Sequence, residues 1–270
     1  MTNEDVERLA YEFGFSRVYY LPPPDFTPHD DEPHIVWNAD EYPWASVSVL
    51  LVKPYAPYPK DCRIPAYYIN SNASYHASVA LARTLEASGV RLLRCELPIK
   101  ALCAKYRFGT LCRNSLAALP GLGTRVVFQT MLLGNGDGHS FTPMEYSVPA
   151  DALCSSCRAC MNACPAHAIG ANGLDVKKCM RYYMDGADYP DWVYGVQRTH
   201  MGCEICQAVC PRNAHIAPVQ PPGDVAAAFD LDALASGATK PARLLVGKNF
   251  TGNGKLQKEA LRFLERDGKK

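Results

Sequence analysis

The sequence predicts an α+β chain: a mixed α/β domain through about residue 148, followed by a cysteine-rich module. Strand-like and helix-like segments alternate from the N-terminus to that point, separated by breaks that glycine and proline mark. Eight of the twelve cysteines then fall between Cys154 and Cys210, so they belong to one local device. With 48 % apolar and 20 % charged residues the composition is that of a globular chain, and 270 residues suffice for one large core or two modest ones.

Taken in order, Val6, Leu9, Ala10 and Phe13 recur at helical spacing, and Gly14 stops that helix. FSRVYYL (15–21) reads as a strand and PPPDFTPHDDEP (22–33) as an exposed loop. SVSVLLV (46–52), aliphatic and β-branched, predicts a central strand ending at Lys53-Pro54, and 54–70 a covering loop. Ser71 or Asn72 can cap a helix to about Ser88 whose apolar face is Val79, Leu81, Ala82 and Leu85. Gly89 ends it, VRLLRCE (90–96) returns as a strand, and Pro98 opens a short helix to about Tyr106. GLG (121–123) turns the chain into the strand RVVFQTMLLG (125–134). GNGDGH (134–139) lacks a following helix start and reads as a turn, not a phosphate cradle. The expected divisions are 1–148, 149–218 for the cysteine module, and 219–270 for a linker (VQPPGD) with a C-terminal helix around 255–266.

Net charge is +1, from 28 basic and 27 acidic residues, so nothing in the total asks for nucleic acid or an anionic membrane. The start, MTNEDVERLAYEFGF, has neither a basic n-region nor an apolar h-region. No apolar run approaches the roughly 18 residues that span a bilayer. The expectation is a cytoplasmic protein, where twelve cysteines argue for metal or redox use over disulfides.

The first cysteine run is Cys154-x2-Cys157-x2-Cys160-x3-Cys164-Pro165, and GCEICQAVCP supplies Cys203-x2-Cys206-x3-Cys210-Pro211. This is the spacing of two-cluster ferredoxins, in which the cysteine before proline reaches across to the other cluster. By that rule one 4Fe-4S cluster takes Cys154, Cys157, Cys160 and Cys210. The other takes Cys164, Cys203 and Cys206 and lacks a ligand, because His200 stands where a ferredoxin has cysteine. Cys179 is the unassigned cysteine within the segment and is taken as the eighth ligand. Two alternatives stay open here: ligation by His200, and two zinc sites.

The segment CSSCRACMNACPAHAI, the cysteine of KKCMRYYMD, and MGCEICQAVCPRN together resemble the iron–sulfur module of epoxyqueuosine reductases. A lone upstream cysteine completing the second cluster is that family's own arrangement. The resemblance extends more loosely upstream, through NASYHASVALARTLEASG (72–89) and the turn Gly109-Thr-Leu-Cys112-Arg113-Asn114, where the family has Gly-x-x-Gly-Lys-Asn. It implies a nitroreductase-like N-terminal domain holding base-off cobalamin, with one cluster near the cobalt, and kinship with reductive dehalogenases. Cys112, Arg113 and Asn114, with Tyr182, Glu204 and Gln207 beside the cluster ligands, become candidate cobalamin contacts; the bland reading of the last three is packing around a cluster.

Three departures qualify the likeness. The family's proton-donating aspartate falls on Cys95, with Glu96 adjacent but on the opposite face of a strand. Cys112 replaces a glycine, and LVGKNFTGNGKLQKEALRFLE resembles only the start of the family's helical-repeat domain. The expectations are that tRNA is not the substrate and that Cys95 is the candidate acid, with Arg94 and Arg113 able to lower its pKa. The bland alternative makes Cys95, Cys103 and Cys112 small buried hydrophobes; Cys62 has no assigned role. Tyr75 and His76 read as packing and helix-start residues.

The implied function is a reductase in which a low-potential donor, such as a ferredoxin or flavodoxin, feeds two clusters that reduce a cobalamin acting on a small substrate. The rivals are a non-catalytic electron-transfer or accessory protein, and true epoxyqueuosine reduction with a replaced proton donor.

Overall fold

The computed structural model describes residues 1–23, 25, 39–149, 152–184, 189–247, 252 and 254–268. Most of the loop expected over 22–33 lies outside the described residues. The chain divides into two compact units, the first formed by Met1–Pro54, Ser74–Cys112 and Leu116–Asp151, the second by Tyr55–Ala73, Arg113–Ser115 and Ala152–Lys270.

In the first unit, helix α1 (Asn3–Glu12) opens on a capping box in which the Thr2 N–H donates to Asp5 Oδ2 at 2.9 Å. It ends before Gly14, whose φ of +82° is costly for any other residue. Strands β1 (Arg17–Leu21) and β2 (Val47–Pro54) follow, then α2 (Ala66–Ala87), which belongs to this unit from Ser74 on, β3 (Leu92–Arg94) and α3 (Ile99–Tyr106). A small hairpin, β4 (Thr110–Leu111) with β5 (Ala117–Ala118), precedes β6 (Val126–Leu133).

The main sheet runs β1-β2-β6-β3, every pair antiparallel, with Tyr19 opposite Leu50 and Leu50 opposite Thr130. The two-residue period sends alternate side chains to opposite faces. Val18, Tyr20, Val49, Leu51, Met131 and Leu133 pack with Val6, Ala10, Leu81 and Leu85. Tyr19, Leu21, Leu50, Val52 and Leu132 pack with Leu97, Leu102, Cys103 and Phe108. A strand covered on both faces has no solvent side, so β2 reads as an unbroken apolar run.

Three sequence expectations need correction. Helix α2 begins at Ala66, before Ser71 and Asn72, because the Pro65 carbonyl accepts from Tyr68 and Ile69 while the distant Glu204 carboxylate accepts from the Tyr67 N–H. A cap borrowed from elsewhere in the chain leaves no local signal. Tyr75 and His76 consequently sit in mid-helix, both exposed, with the Arg94 guanidinium over the Tyr75 ring at 4.6 Å. Strand β3 is shorter than expected, although the Cys95 N–H still donates to Thr130 O at 3.3 Å.

The β4–β5 hairpin was not anticipated: two-residue strands carry no readable alternation. Gly109 is required beside it, since a Cβ there would lie 2.7 Å from Ala118 O. The GNGDGH turn is as expected, with Gly136 and His139 exchanging backbone hydrogen bonds.

The second unit is built of short pieces. These are α4 (Ala152–Ser156), α5 (Ala159–Ala163), the pair β7 (Ile169–Gly170) and β8 (Gly173–Leu174), α6 (Met180–Tyr183), α7 (Asp191–Val196) and α8 (Ile205–Ala208). Four helices follow: α9 (Gly223–Ala228), α10 (Leu231–Ala235), α11 (Lys240–Val246) and α12 (Lys255–Gly268). Val225, Phe229, Leu234, Val246 and Leu256 bury there with Ile64, Tyr68 and Met201. Three of those helices are too short to show a 3.6-residue period, so the sequence reads them as linker. Among the described residues no helix is long and apolar enough to cross a membrane.

Candidate metal centre

Cys154 lies in α4 and Cys160 in α5, with Cys157 between them. Cys164 and Cys210 each precede a proline and have extended backbones (φ −72°, ψ 112° and φ −74°, ψ 123°). Proline disfavours helical geometry in the residue before it, which turns these two cysteines out of the tight loop. Cys179 is likewise extended at the mouth of α6. Before Cys203 stands Gly202, φ +76°, where a Cβ would meet the Tyr68 ring at 2.6 Å.

The eight thiols gather in two groups. Cys210 and Cys160 each feel the charges of Cys154 and Cys157. Cys203 feels Cys179 and Cys164, while Cys206 feels Cys203 and Cys179 together with Cys160 of the first group. All eight are half-buried and none is in a disulfide. Among the described residues no three His, Cys, Asp or Glu side chains lie close enough to share a single metal ion.

Burial pushes Cys160 and Cys210 up, Cys203 to about 11 and Cys206 to about 12. Without metal they hold their protons, and loading iron would release them. Donors nevertheless aim at the sulfurs. The Arg113 N–H lies 3.2 Å from Cys154 Sγ and the Ala168 N–H 3.4 Å from Cys164 Sγ. Backbone N–H groups of Ile205 and Arg212 serve Cys203 and Cys210, and the Asn114 side chain serves Cys206. Such donors stabilise thiolate held by a cluster, so the residues present fit two 4Fe-4S groups.

His200 is fully buried with its ring against Phe229 and Phe263, centroids 5.7 and 5.3 Å apart, and neither ring nitrogen has a partner. Burial, with Arg63 nearby, lowers its pKa to about 4. It is a packed core histidine in this unit.

The candidate cobalamin contacts are largely occupied within the chain. Arg113 spends its guanidinium on the carbonyls of Ala171, Cys154 and Ser155 (2.7, 3.3 and 2.9 Å). Glu204 accepts from Tyr67 at the start of α2, and Gln207 Nε2 donates to the Tyr55 hydroxyl at 3.3 Å. Cys112 is buried with Sγ 3.7 Å from Thr110 O. Asn114 is buried with Oδ1 unpartnered, and Tyr182 is 54 % exposed.

Cys95 is pushed up to about 12 because burial outweighs Arg94, the reverse of the lowering expected. A thiol holding its proton that tightly is a poor acid near neutrality, and Glu96 is exposed. Cys103, at about 11, packs beside Leu102 and Phe108 as a small hydrophobe, and burial also raises Cys62.

Residues 153–213 match the 4Fe-4S double cluster binding domain. The chain is 31 % identical over 121 residues to the epoxyqueuosine reductase of Listeria monocytogenes, a match covering 44 % of this chain and 30 % of that one. The sequence match thus spans about a third of the length of this curated relative. The structure of epoxyqueuosine reductase from Bacillus subtilis superposes with a TM-score of 0.70 at 19 % identity, over 97 % of this chain and 80 % of that one. An epoxyqueuosine reductase solved with an epoxyqueuosine-modified tRNA stem loop gives 0.71 at 18 % identity, with the same coverage. The chain is therefore epoxyqueuosine reductase-like, similar in sequence through its double-cluster segment and in fold along nearly its whole length.

Proposed function

We propose that the chain is an iron–sulfur reductase. Single electrons from a low-potential donor, a ferredoxin or flavodoxin in the cytoplasm, would enter two 4Fe-4S clusters and leave toward a small reducible substrate. The observation that carries this is the gathering of thiols into two groups of four within the matched double-cluster segment. In this reading Cys154, Cys157, Cys160 and Cys210 hold one cluster, and Cys164, Cys179, Cys203 and Cys206 hold the other. Residues 1–148 form the substrate-side domain and 149–218 the cluster module.

A cobalamin, the group the resemblance implies, supplies reductive cobalt chemistry when bound. Because Arg113, Glu204 and Gln207 are engaged within the chain, no contacts are assigned to it and no step is routed through it. The test is anaerobic purification with iron and sulfide analysis, then an electronic spectrum with added cobalamin. Iron together with a base-off cobalt signature supports a corrinoid reductase. Iron with no corrinoid after reconstitution sinks that part and leaves an electron-transfer protein, a rival that the tightly held Cys95 proton favours.

A second reading is action on a tRNA-borne substrate. It is favoured by the similar fold solved with a tRNA stem loop, which stands against the expectation that tRNA is no partner. Restoration of queuosine in a reductase-deficient strain would support it.

A further inference from the structure

We propose that the turn Arg113–Asn114–Ser115 serves both clusters at once, Arg113 setting the reduction potential of one and Asn114 that of the other. This rests on reading the eight cysteines as ligands of two 4Fe-4S clusters. Arg113 and Asn114 are then positioning residues, acting through the sulfurs that hold iron.

The contacts of Arg113 all fall on the loop of the first group. Its main-chain N–H donates to Cys154 Sγ at 3.2 Å. Its guanidinium donates to Cys154 O and Ser155 O at 3.3 and 2.9 Å, and to Ala171 O in the β7–β8 turn at 2.7 Å. One side chain thus ties the helix carrying Cys154 to a neighbouring turn and places a permanent positive charge on the carbonyls of the loop that carries that thiol.

Asn114 addresses the other group. It is 5 % exposed, and its side chain hydrogen-bonds to the Cys206 thiol. Its Oδ1 is buried without a partner, so the amide NH2 is the end of this side chain that makes a contact. The turn is locally preset: the Cys112 N–H donates to Leu116 O at 2.8 Å, and Ser115 adopts φ +61°. Two adjacent residues therefore reach sulfurs of different groups.

The energetic consequence follows from charge. Reduction adds an electron whose density spreads onto the cysteine sulfurs, and donors or positive charge beside them favour the reduced state and raise the potential. Removing the Asn114 donor lowers the potential of the cluster bound by Cys206. Removing the Arg113 charge, and loosening the loop that presents its N–H, lowers that of the cluster bound by Cys154.

The experiment is a reductive titration of the anaerobically reconstituted full chain, followed by electron paramagnetic resonance, for the parent and for Asn114→Asp, Asn114→Ala and Arg113→Met. Asn114→Asp keeps the volume and, ionised, cannot donate, so it carries the test should Asn114→Ala lose iron. The expected result is that the Asn114 variants shift one of the two one-electron steps downward, and Arg113→Met shifts the other. Both positions moving the same step, or neither moving any step in fully loaded protein, overturns the proposal. So does loss of iron from all three variants while the parent stays loaded, because the turn is then a mere support. A parent that takes up no iron overturns the cluster reading itself.

Discussion

At the scale of single residues, the off-pattern Cys179 matters most. It alone departs from ferredoxin spacing, and its thiol lies in electrostatic reach of both Cys203 and Cys206. Cys179→Ser should leave the cluster of Cys154 intact and cost about half the bound iron after reconstitution, since each cluster holds four. Retention of full iron would remove Cys179 from the ligand set. His200, the spacing-based rival, is explained by packing: a ring between two phenylalanines, with Arg63 opposing its charge. Cys95 shows the limit of arguing from a neighbouring arginine, because burial outweighs it.

At the scale of elements, α12 carries one titratable group and packs against another, and the two have opposite pH behaviour. Glu259 on α12 is 2 % exposed, and burial raises it to about 7, against the Gln197 hydrogen bond and the charges of Arg262 and Lys255. Gln197 donates to Thr199 O and His200 O while its Oε1 stays unpartnered, an acceptor that suits a protonated carboxyl. Glu259 binds its proton more tightly folded than unfolded, so its contribution to stability is present below about 4.5 and is lost as pH rises toward about 7. His200, lowered from 6.5 to about 4, does the reverse and loses stability as pH falls through that window. The two slopes oppose each other where the windows overlap, which leaves the parent's pH profile shallow. Between pH 7.5 and 5, His200→Leu should gain about 2 kcal/mol on the parent, and Glu259→Gln should lose about 2 kcal/mol of whatever advantage it holds at the higher pH. Denaturant midpoints of parent and variant, compared at each pH, check this; parallel curves would show that neither group titrates as described.

At the scale of the whole molecule, the two units differ in what holds them. The first has apolar layers on both faces of a four-stranded sheet. Within 153–213 the helices span four to six residues, and one apolar cluster gathers only Met180, Met184, Tyr189 and Val193. Met201 joins the core of the following helices, but so small a local core offsets little of the backbone entropy of ordering the cysteine loops, and in the cluster reading metal–thiolate bonds supply the rest. Stripping iron with an oxidant and chelator should make 153–213 cleavable by protease while the sheet of the first unit stays protected. Equal protection of both before and after stripping would show that the segment folds without iron.

The sequence by itself determined the main helices and sheet strands through β6 and the location of the cysteine device. Those features are written in periodicities and ligand spacings, which are local properties of the chain. What only the tertiary structure decided depends on residues distant in sequence. Glu204 starts α2 early, the Arg113 N–H reaches the Cys154 sulfur, and three short helices join α12 in burying a core where a linker was read. Hydrogen bonds to a sulfur, caps borrowed across the chain and the desolvation of a thiol all require knowing which surfaces meet, and no window of sequence contains that information.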